Sequence, residues 1–305
     1  MNQRHNSLIL SLVISIMLFG CSTKYEGGKT YQVSSTKPLV FSADSLQIHY
    51  RDYDDVKEAP ATLLFVHGWC IDQSYWASQV EFLKADYRIV SLDLPGFGES
   101  GKSRKKWSME AYGDDVRAVI NQLQLENVIL IGHSMGGDVV LEAALDNEKV
   151  IGVIGVDNFK DVAMPMTEEI QAEIDGFLTM IRANFSQTAP AYAEAALFHP
   201  DTDSSVIQRV KNDFQNSDSL AAIGSITALL DYAAKEPQQL SALSQKLYLI
   251  HSDATPAYLE GLDGTGVVHE ITEIQGTGHY PMIEKPELFT QILQQLIEKL
   301  IREKD

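Results

Sequence analysis

The chain has 305 residues, of which 45% are hydrophobic and 22% are charged, a composition that excludes a disordered or membrane-spanning chain. Its formal net charge of −18 at pH 7 would repel phosphate backbones, so we expect no nucleic-acid partner. The two cysteines, Cys21 and Cys70, are too few for a framework of disulfides.

The first segment of the chain has the pattern of a targeting sequence. Arg4 supplies a basic start, and the apolar run Leu8–Phe19 is of signal-peptide length but too short for a confident membrane span. The run ends in Leu18-Phe19-Gly20-Cys21, which resembles the bacterial lipoprotein box. The resemblance implies removal of a signal peptide over residues 1–20 and lipidation of Cys21.

A lipoprotein signal has consequences for location. The resemblance implies a bacterial cell-envelope protein that is held on a membrane through its N-terminal lipid, and Ser22 favours the outer membrane or a periplasm-facing position. The polar residues 21–37 are predicted to be a tether. The alternative is an ordinary signal peptide followed by an incidental cysteine.

From residue 38 onward, short apolar runs alternate with segments of helical spacing. The predicted strands are Leu46–Tyr50 at an edge, Thr62–Val66, Arg88–Leu92, Asn127–Ile131, Ile151–Val156, Lys246–Ile250 and Val267–Ile271. The predicted helices between and after them are Ser74–Leu83, Met109–Leu123, Met135–Asp146 and Glu287–Ile301. This alternation predicts an α/β fold with a mostly parallel sheet and helices on both faces.

One block interrupts the alternation. Residues 161–240 contain no convincing strand and are predicted to form the helices Thr167–Asn184, Ala189–Leu197, Ser204–Asn216 and Leu220–Ala234. Because the block lies between two predicted core strands, we interpret it as an inserted helical cap. The core is then residues 38–160 and 241–305.

A candidate nucleophile follows the strand Asn127–Ile131. Gly132-His133-Ser134-Met135-Gly136 is a G-x-S-x-G sequence between a strand and a helix, the setting of a nucleophile elbow. The flanking glycines allow the close backbone approach of so sharp a turn. The start of the next helix supplies free N–H groups and partial positive charge near Ser134.

A candidate general base lies near the end of the chain. Gly278-His279-Tyr280-Pro281 comes after the last predicted strand and before the last helix, where a loop at the carboxyl edge of the sheet can reach Ser134. The order of serine first and histidine last is that of α/β-hydrolases. Among the other histidines, His133 is expected to pack beneath the nucleophile.

These motifs together resemble α/β-hydrolases with a helical cap, over roughly residues 38–303. Two further motifs carry the resemblance, His67-Gly68-Trp69 and Asp93-Leu94-Pro95-Gly96-Phe97-Gly98. The family's fold has an eight-stranded type of sheet. The resemblance implies that the backbone N–H groups of Trp69 and Met135 form the oxyanion hole, whereas His67 shapes its loop.

The triad acid departs from the family's usual pattern. The loop after the strand that follows the cap reads His251-Ser252-Asp253-Ala254-Thr255, with Ser252 and Thr255 at the usual glycine and aspartate positions. Asp157, at the end of Ile151–Val156, resembles the acid position of pancreatic-type lipases and some haloalkane dehalogenases. We favour Asp157 and keep Asp253 as the alternative.

The resulting prediction is a serine hydrolase that cleaves a small or medium carboxylic ester through an acyl-enzyme on Ser134, without a cofactor. Alternatives are acyl transfer or C–C or amide hydrolysis on the same triad, and an inactive surface-anchored binding protein. No metal site is predicted, because no H-E-x-x-H or Cys/His cluster is present. Gly96–Gly101 matches G-x-G-x-x-G but opens no apolar helix, so it predicts no dinucleotide site. Lys102–Lys106 is predicted to be a solvated loop, and Cys70 a packing residue.

Overall fold

A computed structural model describes residues 25–26, 29–30, 38–56 and 58–304. The predicted signal peptide, Cys21 and most of the predicted tether therefore lie outside the described residues. The chain divides into two compact units, residues 1–38 and 39–305. In the first unit, strand β1 (Tyr25–Glu26) pairs antiparallel with β2 (Lys29–Thr30).

The second unit is built on a seven-stranded sheet. Its strands are β5 (Tyr50–Tyr53), β6 (Thr62–Val66), β7 (Arg88–Leu92), β8 (Val128–His133), β9 (Val150–Val156), β10 (Leu247–Ser252) and β11 (His269–Ile274), in the spatial order β11-β10-β9-β8-β6-β7-β5. All neighbouring pairs are parallel except β5 and β7. Every residue of the central strands β6 and β8 is buried, because helices cover both faces of the sheet.

The first edge of the sheet differs from the prediction. Instead of one strand over Leu46–Tyr50, β4 (Gln47–Ile48) pairs with β3 (Val40–Phe41) in a separate hairpin, and the edge strand of the sheet is Tyr50–Tyr53. The switch occurs at His49, whose N–H donates to Ser100 Oγ at 2.7 Å rather than to a strand. The described sheet accordingly has seven strands, not eight.

The helices that flank the sheet are mostly the predicted ones. They are α1 (Ala77–Leu83), α2 (Met109–Gln122), α3 (Met135–Ala144), α9 (Leu259–Gly264), α10 (Pro281–Glu284) and α11 (Pro286–Lys304). A 3₁₀ turn over Gln73–Trp76 forms the first part of the predicted helix Ser74–Leu83. Helices α9 and α10 were not predicted, because six and four residues are too few to show a helical period.

Five helices lie between β9 and β10, in the block interpreted as a cap. They are α4 (Glu168–Ala183), α5 (Phe185–Ala196), α6 (Ser204–Asn216), α7 (Ser219–Tyr232) and α8 (Glu236–Ala242). Helix α5 begins before the predicted start at Ala189, with Pro190 inside it, and α8 was not predicted. In the part of the chain that the structure describes, no helix is both long and apolar enough to cross a membrane.

The prediction that Lys102–Lys106 is a solvated loop is wrong at Arg104. Its guanidinium is buried and forms ion pairs with Asp115 at 2.8 Å and with Asp44 at 2.9 Å. A run of basic residues in the sequence does not reveal that one member has two acidic partners from distant segments. Cys70 is buried, and burial raises the pKa of its thiol well above the usual value.

Candidate active site

Ser134 lies on a strained turn between β8 and α3. Its backbone has φ 53° and ψ −126°, a conformation that non-glycine residues rarely adopt. The turn is tight, because a Cβ atom on Gly132 would collide with the carbonyl oxygen of Gly136. Ser134 is half-buried, and its own N–H donates to the carbonyl of Val156 at 3.0 Å, which ties the turn to strand β9.

The loop His67–Trp69 packs directly against this turn. A Cβ atom on Gly136 would lie 2.6 Å from the carbonyl oxygen of His67, and one on Gly68 would lie 2.7 Å from His133 Nδ1. Met135 is the first residue of α3, so its N–H has no acceptor within the helix. The two segments predicted to supply the oxyanion donors Trp69 and Met135 are therefore in contact; the roles of these donors stay predictions.

His67 fixes the shape of that loop through both ring nitrogens. Nε2 accepts a hydrogen bond from the Leu94 N–H at 2.9 Å, and Nδ1 donates to the Gly68 carbonyl at 2.7 Å. Burial lowers the pKa of His67, although the charge of Asp93 opposes this. A neutral imidazole with both ring nitrogens in hydrogen bonds is suited to holding a loop, not to carrying protons.

The structure brings Asp157 and His279 together. Asp157 follows the last residue of β9, and its Oδ2 lies 2.6 Å from His279 Nδ1, so that Nδ1 donates and Nε2 remains for the substrate side. The Asp157 side chain is only 3% exposed and that of His279 is 20% exposed. A buried carboxylate that orients a partly open imidazole is the arrangement that a general base requires.

Asp253, the alternative acid, has a different set of contacts. Its Oδ1 accepts the backbone N–H groups of Gly276 at 2.8 Å and Thr277 at 3.2 Å. These bonds lower the pKa of Asp253. Asp253 thus holds the loop that leads to His279 without bonding to the imidazole.

The second oxygen of Asp157 is also fully engaged. Oδ1 accepts from the Ser252 N–H at 2.8 Å and the Ser252 hydroxyl at 2.7 Å, and it lies 2.6 Å from Lys160 Nζ. Burial alone would raise the pKa of Asp157, but the hydrogen bond and charge of His279, together with Lys160, place it well below the usual range. The contacts therefore favour the ionised form of the carboxylate.

The backbone of the His279 loop is held by Glu284. One carboxylate oxygen accepts the Gly278 N–H at 2.9 Å, and the other accepts the Tyr280 N–H at 3.0 Å. The same carboxylate accepts from the Thr202 hydroxyl at 2.5 Å, and the His279 N–H donates to the Leu197 carbonyl at 2.8 Å. Both of the latter contacts come from the segment between α5 and α6.

The sequence predicts that His133 packs beneath the nucleophile; in the structure its ring lies against the ring of His279. The His133 and His279 rings are 4.7 Å apart between centroids, and His133 Nε2 donates to the His279 carbonyl at 2.7 Å. Burial, with the nearby His279, lowers the pKa of His133 to about 3. His133 is consequently a neutral support for the loop.

Trp69 connects the predicted oxyanion loop to the helices above it. Its ring packs edge-on against Phe185, Tyr192 and Phe214 at centroid distances of 6.4, 6.5 and 5.1 Å. Its Nε1 donates to the Ala222 carbonyl at 2.9 Å. Helices α5, α6 and α7 thus meet the core at Trp69, a residue of the predicted site.

Sequence reasoning missed Lys160 and Glu284 and gave Ser252 no contact with the acid. Lys160 stands three positions after Asp157, a spacing with no recognised meaning outside a helix. Among the described residues, no group of three or more His, Cys, Asp or Glu side chains is placed to hold a metal ion. The segment Gly96–Gly101 closes on itself through the Gly96 N–H and Gly101 carbonyl at 2.9 Å.

Comparisons with known proteins agree on the fold. Residues 61–286 match the family described as the alpha/beta hydrolase fold. The chain is 31% identical over 115 residues to the hydrolase YugF of Bacillus subtilis, an alignment that covers 37% of this chain and 41% of YugF. It is 35% identical over 99 residues to a bifunctional esterase/perhydrolase of Acinetobacter calcoaceticus, which covers 32% of this chain and 35% of that protein.

A solved structure extends the similarity to most of the chain. A thermophilic esterase from Thermogutta terrifontis superposes with a TM-score of 0.73 and covers 87% of this chain and 99% of that one. At 21% sequence identity, this similarity establishes a shared fold alone. The alignments with the two sequence relatives span less than half the length of each.

Proposed function

The chain belongs to the α/β-hydrolase fold family, and from that premise we propose that it is a serine hydrolase that cleaves a small or medium carboxylic ester through an acyl-enzyme on Ser134. The single observation that carries this proposal is the 2.6 Å hydrogen bond between Asp157 Oδ2 and His279 Nδ1. It fixes the imidazole tautomer that a base needs and leaves Nε2 free to take the serine proton.

The proposed mechanism uses each part in turn. His279 removes the proton of Ser134 as Ser134 attacks the acyl carbonyl, and the developing oxyanion binds the N–H groups of Trp69 and Met135. The alcohol leaves with the proton from His279. Water then attacks the acyl-enzyme, with His279 again as base, and Asp157 stabilises the imidazolium in both steps.

The surroundings of Trp69 support an apolar acyl group. Aromatic side chains from α5 and α6 pack on its ring, and the adjoining helix α4 carries half-buried Phe177, which lies 5.1 Å from Tyr192 between ring centroids. Apolar and aromatic walls bind acyl chains through burial and provide no partner for a charged substrate. Helices α5 to α7 are therefore proposed to set the limit on chain length.

A panel of p-nitrophenyl esters of graded acyl length tests the reaction and its substrate class together. We expect kcat/KM to peak at short or medium chains and to fall for long ones. A fluorophosphonate probe, followed by peptide mass spectrometry, should modify Ser134 alone. Failure of every ester to react, or labelling at another residue, would overturn the proposal.

Acyl transfer is a second candidate function, because one relative is a bifunctional esterase/perhydrolase. In such a reaction an alcohol or peroxide replaces water in the attack on the acyl-enzyme. Product analysis with an added alcohol separates the two, since a transferase forms the new ester in preference to the free acid. Amide and C–C hydrolysis are tested with matched anilide and diketone substrates. A binding protein without activity would leave all of these substrates unchanged.

We further propose that the protein is anchored in the bacterial cell envelope through a lipid on Cys21, a proposal that rests on the sequence Leu18-Phe19-Gly20-Cys21. Replacing Cys21 by serine should move the protein from the membrane fraction to the soluble fraction, because the cut chain would lack acyl groups. An intact mass of the wild-type protein without lipid would contradict this.

A further inference from the structure

Lys160 is a buried cation at the back of the candidate triad. Its side chain is only 9% exposed, and its Nζ lies within 3.1 Å of five oxygen atoms. One is Asp157 Oδ1 at 2.6 Å; the others are the carbonyl and hydroxyl oxygens of Ser252 and of Thr255. An ammonium group buried to this degree is stable only with such partners.

The partners of Lys160 belong to two neighbouring strand ends. Asp157 follows β9, whereas Ser252 and Thr255 stand at the end of β10 and in the loop after it. The ammonium group therefore joins the carboxylate to the loop in which the family usually carries its acid. It occupies space beside Thr255, the residue at that usual position.

We propose that Lys160 is a positioning residue for the Asp157–His279 pair and that its charge sets the pH range in which His279 serves as a free base. The inference rests on the proposed function of that pair. Two observations support it. The two carboxylate oxygens of Asp157 have different partners, and the charge of Lys160 already balances that of the carboxylate.

The carboxylate oxygens are divided between two tasks. Lys160 and Ser252 hold Oδ1, so the carboxylate cannot rotate without breaking a buried ion pair and two hydrogen bonds. Oδ2 is thereby directed at His279 Nδ1. Rigid support of this kind keeps a base within the narrow geometry that proton transfer needs.

The charges favour the unprotonated base. With Lys160 present, the carboxylate is already neutralised, and a proton on His279 adds a net positive charge to a buried cluster. Without Lys160, the same proton would neutralise the carboxylate instead. Because like charges disfavour protonation, the lysine should keep His279 active to lower pH than a simple Asp–His pair would.

Three titratable rings packed around the Asp157–His279 pair carry no charge near neutrality. His133 contacts the ring from β8, and His251 donates to the Asn158 carbonyl from β10; burial lowers their pKa values to about 3 and about 4. Burial raises the pKa of Tyr280, which packs 5.3 Å from the imidazole.

Two acidic side chains and one further histidine complete these surroundings. Glu284 and Asp253 bond to backbone N–H groups of the His279 loop, not to the ring. His199, from the segment between α5 and α6, lies close enough to Asp253 to lower the pKa of that carboxyl. The five oxygen atoms that Lys160 Nζ contacts belong to none of these three side chains, so we expect the three to act equally in the wild type and in the variants.

The test is a titration of the His279 ring by NMR in the full chain, which needs no substrate. The parent is the Ser134→Ala protein, and Lys160→Met, Lys160→Gln and Lys160→Arg are compared in that background. We expect the midpoint to rise by about one pH unit in the Met and Gln variants, because the cation is lost. The Arg variant, which keeps the charge, should stay near the parent.

Activity provides a second reading with wild-type Ser134. The acid limb of kcat/KM for a p-nitrophenyl ester should move to higher pH by the same amount in the Met and Gln variants. Lys299→Met is the matched control, because Lys299 pairs with Glu270 near the opposite end of β11 from the His279 loop. It should leave both midpoints unchanged.

The outcomes separate this inference from the proposed function. Unchanged midpoints in folded Met and Gln variants, or an equal rise in the Arg variant, would overturn the role of the charge even if esters are hydrolysed. A shifted NMR midpoint without ester hydrolysis would support Lys160 and contradict the proposed reaction. If the neutral variants do not fold, the NMR signal of the Lys160 Nζ group in the Ser134→Ala protein tests the inference instead. It should change at the His279 midpoint, and the absence of such a change would overturn the inference.

Discussion

The loops after β9 and β10 begin side by side at one edge of the sheet, and each carries an aspartate. Asp157, after β9, is buried, contacts the imidazole and has a lysine behind it. Asp253, after β10, is only half-buried and accepts two backbone N–H groups of the loop Gly276–Gly278. An aspartate thus contacts the His279 imidazole directly in one loop and the backbone that leads to His279 in the other.

An acid that orients a base differs from one that holds a turn in the burial of its carboxylate and in the direction in which that carboxylate points. The presence of a carboxylate alone does not distinguish them. Asp157 is at a position that resembles one family pattern, whereas Asp253 stands two residues before the family's usual acid position. Asp157 itself has φ 48°, so its backbone is also in a conformation that non-glycine residues rarely adopt.

The largest effect on kcat should come from Ser134→Ala. Its residual activity is the lower limit against which the variants of the two aspartates are compared. Without the nucleophile, kcat for the best ester should fall by about 10⁶, and only binding and the oxyanion donors remain. The stability to heat should change little, because among the described residues the hydroxyl of Ser134 makes no hydrogen bond that holds either loop. Persistent fluorophosphonate labelling would show that another residue is the nucleophile.

Asp157→Asn should have the second-largest effect on kcat. An amide at this position favours the wrong imidazole tautomer, so kcat should fall by about 10⁴, measured as single-turnover acylation. A loss of less than about tenfold in a folded protein would contradict the assignment of Asp157.

Asp253→Asn should reduce kcat by about tenfold at most. The amide oxygen still accepts the Gly276 and Thr277 N–H groups, although more weakly because the charge is lost. The comparison must use proteins of matched thermal stability. A larger loss of kcat in Asp253→Asn than in Asp157→Asn would indicate that the triad acid is Asp253, in the loop after β10.

The smallest effect concerns stability in acid. The pKa of Asp157 lies below its unfolded value of about 3.9, so its ion pairs stabilise the fold above that pH and are lost as pH falls toward the folded value. Asp157→Asn should therefore lower the free energy of unfolding by about 2 kcal/mol at pH 7, and the difference should narrow below about pH 4. Urea unfolding at pH 7, 5 and 3 measures this. A difference independent of pH would exclude a charged Asp157.

Most of the fold was predictable because its signals are local. Buried parallel strands are apolar throughout, so β6 and β7 were predicted at their observed bounds, and the α/β-hydrolase fold is confirmed. The edge was mispredicted, because Leu46–Tyr50 alternates like one strand while His49 bonds to Ser100, far along the chain. Short helices such as α9 and α10 carry too little periodicity to be seen.

By itself, the sequence determined the elbow at Ser134 and the loop of His279, because a turn between strand and helix demands glycine and leaves its signature in neighbouring residues. Only the tertiary structure decided which aspartate contacts His279, and it also placed Lys160 and Glu284 behind that contact. The reason is physical. Strand ends are adjacent across the sheet but distant along the chain, so the direction of a side chain and the identity of its partners depend on packing that no local pattern encodes.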